Sequence, residues 1–116
     1  MVKGDLFSVG KDVSLAHCIS EDCRLGKGVA KIFRERFGRV DEIQKMGKGV
    51  GEVAAVRHGS RYVYNLVTKP KYSDKPTYES LRKSLEAMRA HAKDNSVKEI
   101  AMPKVTRTFI DTVVTA

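Results

Sequence analysis

Ser14-Leu15-Ala16-His17-Cys18-Ile19-Ser20-Glu21-Asp22-Cys23-Arg24-Leu25-Gly26-Lys27-Gly28-Val29-Ala30 is the stretch on which the fold turns. Its first six residues are a compact, mostly apolar run, the pattern of a buried strand. The run stops at the polar cluster Ser20-Glu21-Asp22, and a loop punctuated by Gly26 and Gly28 follows. From Val29 the apolar residues Ile32, Phe33 and Phe37 recur at helical spacing. A helix is expected over 29–37, with Gly38 placed to end it.

Working outward, residues 2–7 read as a short first strand. Residues 52–56 and 61–67 are β-rich runs around His58-Gly59-Ser60, the signature of a hairpin. A polar loop over 69–76 leads to Thr77, which is placed to cap a helix carrying Tyr78, Leu81, Leu85, Met88 and Ala92 on one apolar face. Asp94-Asn95-Ser96 then turns the chain into a last strand over 97–102, ended by Pro103. The order β-β-α-β-β-α-β predicts an α/β domain: parallel strands need crossovers, and the crossover helices cover a mixed sheet.

A chain of 116 residues is one domain's worth, and 41% hydrophobic with 31% charged residues excludes a disordered chain. No apolar run approaches the roughly 20 residues of a membrane span, so no membrane partner is expected. The opening Met1-Val2-Lys3-Gly4-Asp5 lacks the apolar core of a signal peptide. Cys18 and Cys23 stand in no metal or redox spacing, which suits a reducing compartment, nuclear or cytoplasmic. A metal centre at His17, Cys18 and Cys23 is not expected, because strand neighbours point to opposite faces and no fourth ligand is suitably spaced. The net charge of +8 favours anionic partners: nucleic acid, an acidic protein or a phosphorylated small molecule. The basic residues are spread along the chain, so a solvated surface accounts for them equally well.

Three constellations carry candidate chemistry. Gly4-Asp5-Leu6 ends the first strand, where an aspartate can accept a hydrogen bond from a base amine; a plain Gly-Asp turn is the competing reading. The loop from Ser20 through Gly26 and Gly28 to Val29 joins a strand to a helix start, an arrangement suited to phosphate, or simply a loop eased by glycine. Thr68-Lys69-Pro70 sets a lysine at a strand's C-terminal end, where open α/β sheets bind ligands. An amine deprived of water, or crowded by cations such as Lys71 and Lys75, loses its proton more readily and can attack a sugar carbon; most loop lysines are merely solvated. His58 and His91 read as solvated, one in a turn and one on a helix's polar side.

Together these segments closely resemble a known family. Val2-Lys3-Gly4-Asp5-Leu6-Phe7, residues 14–24, Lys75-Pro76-Thr77-Tyr78-Glu79, Ser84-Leu85-Glu86-Ala87-Met88 and Ala101-Met102-Pro103-Lys104 resemble the macrodomains, in particular those that remove terminal ADP-ribose from proteins. The resemblance implies a three-layer α/β/α sandwich with ADP-ribose across the C-terminal strand ends. It implies ADP-ribose and ADP-ribosylated proteins as partners, a monomer, no cofactor, and a setting in the DNA damage response. By resemblance, Asp5 with Leu6 reads the adenine. Ser20, Gly26, Gly28 and Val29 form the first ligand loop, while Lys104 and Val105 lead into the second. Lys69 matches the catalytic lysine, which attacks the anomeric carbon and expels the carboxylate of a modified Glu or Asp. The same site in such proteins deacetylates O-acetyl-ADP-ribose.

The pattern departs after Val105. The family continues with a Gly-Cys-Gly loop, a leucine and a catalytic aspartate; this chain reads Thr106-Arg107-Thr108-Phe109-Ile110-Asp111, with Ile110 at the aspartate's place. The resemblance therefore divides the chain into a macrodomain over 1–105 and a divergent tail over 106–116, with the family's last helix and strand missing. A nucleophile without its acid/base partner would stall after attack. A reader of ADP-ribose without turnover, or an inactive splice variant, is the alternative to a working hydrolase.

Overall fold

A computed structural model describes residues 13–22, 34, 35, 37, 39–71, 75 and 77–102. Among the described residues, four strands, β1 (Ser14–Ser20), β2 (Val53–His58), β3 (Arg61–Lys69) and β4 (Ile100–Ala101), form one sheet in the order β2-β3-β1-β4. β1 is parallel to both β3 and β4, and β2 is antiparallel to β3, so the sheet is mixed. The hairpin closes through Gly59 and Ser60, with His58 paired to Arg61. Gly59 sits at φ 62, the left-handed conformation that two-residue hairpin turns demand and glycine takes without penalty.

Among the described residues, helices α1 (Val40–Met46) and α2 (Tyr78–Asp94) pack on the sheet. Side chains alternate across a strand, so each strand feeds two cores. Ala16, Val53, Tyr64 and Leu66 pack with Met88 and Ala92 of α2. On the opposite face Ile19, Ala54, Val56 and Val67 pack with Ile43 of α1. Helix, sheet and helix make the three layers that the resemblance implies.

Of the helix expected over 29–37, Arg34, Glu35 and Phe37 are helical and the remaining residues lie outside those described, as does the strand over 2–7. α1 was not anticipated. It is seven residues long and buries only Ile43, too little for a periodic signal. Its local chemistry is nonetheless helical: Asp41 and Glu42 lie in the first turn and Lys45 in the last, each favourable to the helix dipole. Gly47 at φ 60 closes it, donating its N–H to Gln44.

Thr77 caps α2 as expected. Its hydroxyl accepts from the Ser80 N–H while the Ser80 hydroxyl accepts from the Thr77 N–H, a reciprocal capping box. The buried face is rotated from the expected stripe. Leu81, Met88 and Ala92 are buried, Leu85 is half-buried, and Tyr78 is 48% exposed. At 3.6 residues per turn the arc centres on Ser84 and Met88, which leaves Tyr78 at its rim. The last strand is shorter than expected, with only Ile100 and Ala101 laddered to Ser14 and Leu15.

Two histidines differ from a reading based on local polarity. His91, expected to be solvated, is half-buried; its Nδ1 lies 3.0 Å from the Tyr64 hydroxyl and its ring meets Tyr62 and Tyr64 edge-on. Tyr62 and Tyr64 reach it from β3, a long-range contact invisible to helix periodicity. His58 is also half-buried, with its ring centroid 4.8 Å from that of Phe37. Burial lowers its pKa, helped by the nearby positive charge of Arg39.

Candidate active site

β1 and β3 run side by side in the same direction, so their C-terminal ends emerge together. Their pairing is regular from Leu15 opposite Val63 to Ile19 opposite Val67, and then slips: Ser20 stands opposite Lys69. β3 has gained one residue, Thr68, in a β-bulge of the kind that re-aims side chains at a strand end. Of the sequence-derived candidates, Ser20 and Lys69 are thereby brought onto neighbouring strand tips. The Glu21 N–H continues the contact by donating to the Lys69 carbonyl at 2.8 Å.

Ser20 is buried and its hydroxyl donates a short hydrogen bond to the Asp22 carboxylate. Lys69 is half-buried. Beside them, residues 47–51 form a loop held to the strand tips at both ends. The Glu21 carboxylate accepts from the Val50 N–H at 3.2 Å, and the Gly51 N–H donates to the Val67 carbonyl at 2.8 Å. Gly51 adopts φ 90, a conformation open to glycine and strained for other residues. The start of α2 closes the other side, where the Ser80 hydroxyl donates to the Thr68 carbonyl at 2.6 Å. A hydroxyl and an amine therefore share the C-terminal edge of a parallel strand pair, the edge at which open α/β sheets take ligands.

Asp5, Leu6, Gly26, Gly28, Val29, Lys104 and Val105 lie outside the described residues, as does the tail over 106–116. Sequence reasoning missed the loop at 47–51, the Asp22 contact to Ser20, and Ser80. A signal for Ser80 existed: with Ser84 it forms a polar pair on the otherwise apolar side of α2.

His17, considered with Cys18 as a metal ligand, is part of the core instead. It is buried opposite Asn65, with its Nε2 2.6 Å from the Asn65 Oδ1, and the Asn65 amide donates onward to the Ala54 carbonyl at 2.9 Å. No group of three or more His, Cys, Asp or Glu side chains among the described residues is arranged to hold a metal. A cavity of about 410 Å³, lined by residues including Ser14, Arg57, Tyr62, Ser96 and Lys98, lies at the other end of the strands. It begins where β1 begins, and so is remote from Ser20 and Lys69.

A sequence profile of the Macro domain matches residues 16–108. The chain belongs to the macrodomain family. This macrodomain is 53% identical over 104 residues to the Homo sapiens protein named ADP-ribose glycohydrolase OARD1, covering 90% of this chain and 68% of that protein. The Bos taurus protein of the same name is 52% identical over the same coverage. Among solved structures, the macrodomain of Thermus aquaticus DarG superposes with a TM-score of 0.78 at 22% identity, covering 90% of this chain and 75% of that one. Thermosipho africanus DarTG, solved in complex with ADP-ribose, gives a TM-score of 0.73 at 18% identity, covering 87% of this chain and 31% of that one. At these identities the structures speak for the fold alone.

Proposed function

We propose that this macrodomain binds ADP-ribose across the tips of β1 and β3 and removes mono-ADP-ribose from Glu and Asp side chains of proteins, with Lys69 as nucleophile. The register that sets Lys69 opposite Ser20 carries the reading, and the 53% identity to a protein named as an ADP-ribose glycohydrolase supports it. In the proposed reaction the Lys69 amine attacks the anomeric carbon of the distal ribose. The bond to the acceptor oxygen breaks and the protein carboxylate departs, leaving the ribose on Lys69; release of ADP-ribose by water then proceeds without the family's aspartate and is the slow step. The same site removes the acetyl group of O-acetyl-ADP-ribose by a different step, in which water attacks the ester carbonyl, the ribose hydroxyl leaves and acetate is released. Ser20, Gly26, Gly28 and Val29 bind the distal ribose and diphosphate. Asp5 and Leu6 take the adenine, and Lys104 and Val105 are further ligand-binding residues. The protein acts as a nuclear or cytoplasmic monomer.

The test is incubation of the protein with a Glu-ADP-ribosylated substrate, with mass analysis of Lys69 and measurement of released ADP-ribose. Release, or an adduct accumulating on Lys69, is expected. Lys69→Ala should lose both while keeping its calorimetric affinity for ADP-ribose. Binding with neither product would make the domain a reader.

A further inference from the structure

The register slip that sets Lys69 opposite Ser20 leaves the end of β3 irregular, and irregular backbone needs external restraint to hold one geometry. That restraint comes from α2. The Ser80 hydroxyl, with one proton to give, has two carbonyls in reach: Thr68 at 2.6 Å and Thr77 at 3.0 Å. The shorter bond goes to Thr68, the residue immediately before the lysine. One turn later the Ser84 hydroxyl reaches the Val67 carbonyl at 2.9 Å and the Glu52 carbonyl at 3.0 Å. Ser80 is 6% exposed and Ser84 is fully buried. Two hydroxyls at i and i+4 on one helix thus grip the two consecutive carbonyls that precede Lys69, on either side of the slipped register. The Thr68 side chain is drawn the other way, its hydroxyl donating toward the Ile19 carbonyl of β1 at 3.5 Å.

We propose that Ser80, backed by Ser84, is a positioning residue for Lys69: α2 fixes the bulged tip of β3 so that the amine is delivered to the sugar. This rests on Lys69 being the nucleophile. A buried serine bonded to a strand carbonyl also stabilises the fold, so a purely structural role must be separated from a positioning one. Thr77 provides the separation. Its hydroxyl caps the same helix by accepting the Ser80 N–H and donates to the Ser80 hydroxyl at 2.9 Å, so its loss removes the cap while the Ser80 hydroxyl keeps its own bond to the Thr68 carbonyl.

The experiment compares Ser80→Ala, Ser84→Ala, Thr77→Ala and Ser80→Thr in the full chain, following the single-turnover rate on a Glu-ADP-ribosylated protein, the affinity for ADP-ribose and the melting temperature. Displacements of about 1 Å at a reacting group cost on the order of a hundredfold in rate. Ser80→Ala should therefore slow turnover by about tenfold to a hundredfold with affinity changed less than about twofold, and Ser84→Ala should act in the same direction. Thr77→Ala should melt lower yet react at nearly the unsubstituted rate, and Ser80→Thr, which keeps the hydroxyl, should recover most of the rate. Equal rate losses in Ser80→Ala and Thr77→Ala, or a full rate in Ser80→Ala, overturn the positioning role. Lys69→Ala is run alongside. If it reacts as well as the unsubstituted protein, or if that protein itself does not react, the nucleophile reading falls and takes the positioning role with it. An inert Lys69→Ala beside an unaffected Ser80→Ala sinks the positioning role alone.

Discussion

His17 lies beneath the strand tip that carries Ser20, and its burial ties stability to pH. Loss of solvation lowers its pKa from 6.5 to about 4, with the Asn65 hydrogen bond opposing the shift. Between those values the unfolded chain takes up a proton that the folded chain refuses. The stabilising contribution is therefore complete above about pH 6.5 and is lost as the pH falls to about 4, by about 3 kcal/mol in all. His17→Gln cannot titrate, so urea unfolding of that variant should lose this part of the pH dependence; an unchanged slope would remove His17 as its source. At this scale the sequence was half legible. Lys69 and Ser20 stood out because each ends a strand run before a polar loop. Their pairing was hidden, because the slip at Thr68 depends on which strand lies alongside. The partners of His91 and His17, on β3 in both cases, were hidden for the same reason.

Among the elements, α2 shows most plainly what local rules decide and what they leave to packing. Thr77 announced the helix start, and the structure supplies both halves of its capping box. Thr77→Ala should cost about 1 kcal/mol in chemical denaturation. The apolar stripe gives the helix but not its rotation, because Ser80 and Ser84 are buried yet carry no apolar signal. The rotation has a measurable consequence. Leu81→Ala, at a fully buried site, should cost about 2–5 kcal/mol, whereas Tyr78→Ala, on the exposed rim, should stay within about 1 kcal/mol. Comparable losses from the two would put Tyr78 back in the core. α1 escaped notice because seven residues with one buried side chain give no period to detect, although Gly47 marked its end. Gly47→Ala meets no neighbouring atom and so isolates the cost of φ 60, about 1 kcal/mol.

For the molecule as a whole, the alternation of strands and helices was enough to predict a mixed sheet between helices, since a parallel pair such as β1 and β3 cannot be joined without a crossover. The match to the Macro domain over residues 16–108 and the shared fold of DarG agree with that reading. Function was less legible. The net charge of +8 is compatible with several anionic partners, and the sheet has two ends, each with polar groups to offer. The proposed function places ADP-ribose at the end with Ser20 and Lys69, not in the cavity near Ser14 and Tyr62. Amide chemical-shift mapping during a titration with ADP-ribose tests it directly. Saturable shifts clustered at Ser20, Glu21 and Lys69 are expected, with Ser14, Tyr62 and Ser96 unmoved. Shifts confined to the latter group, or none at millimolar ligand, would contradict that placement.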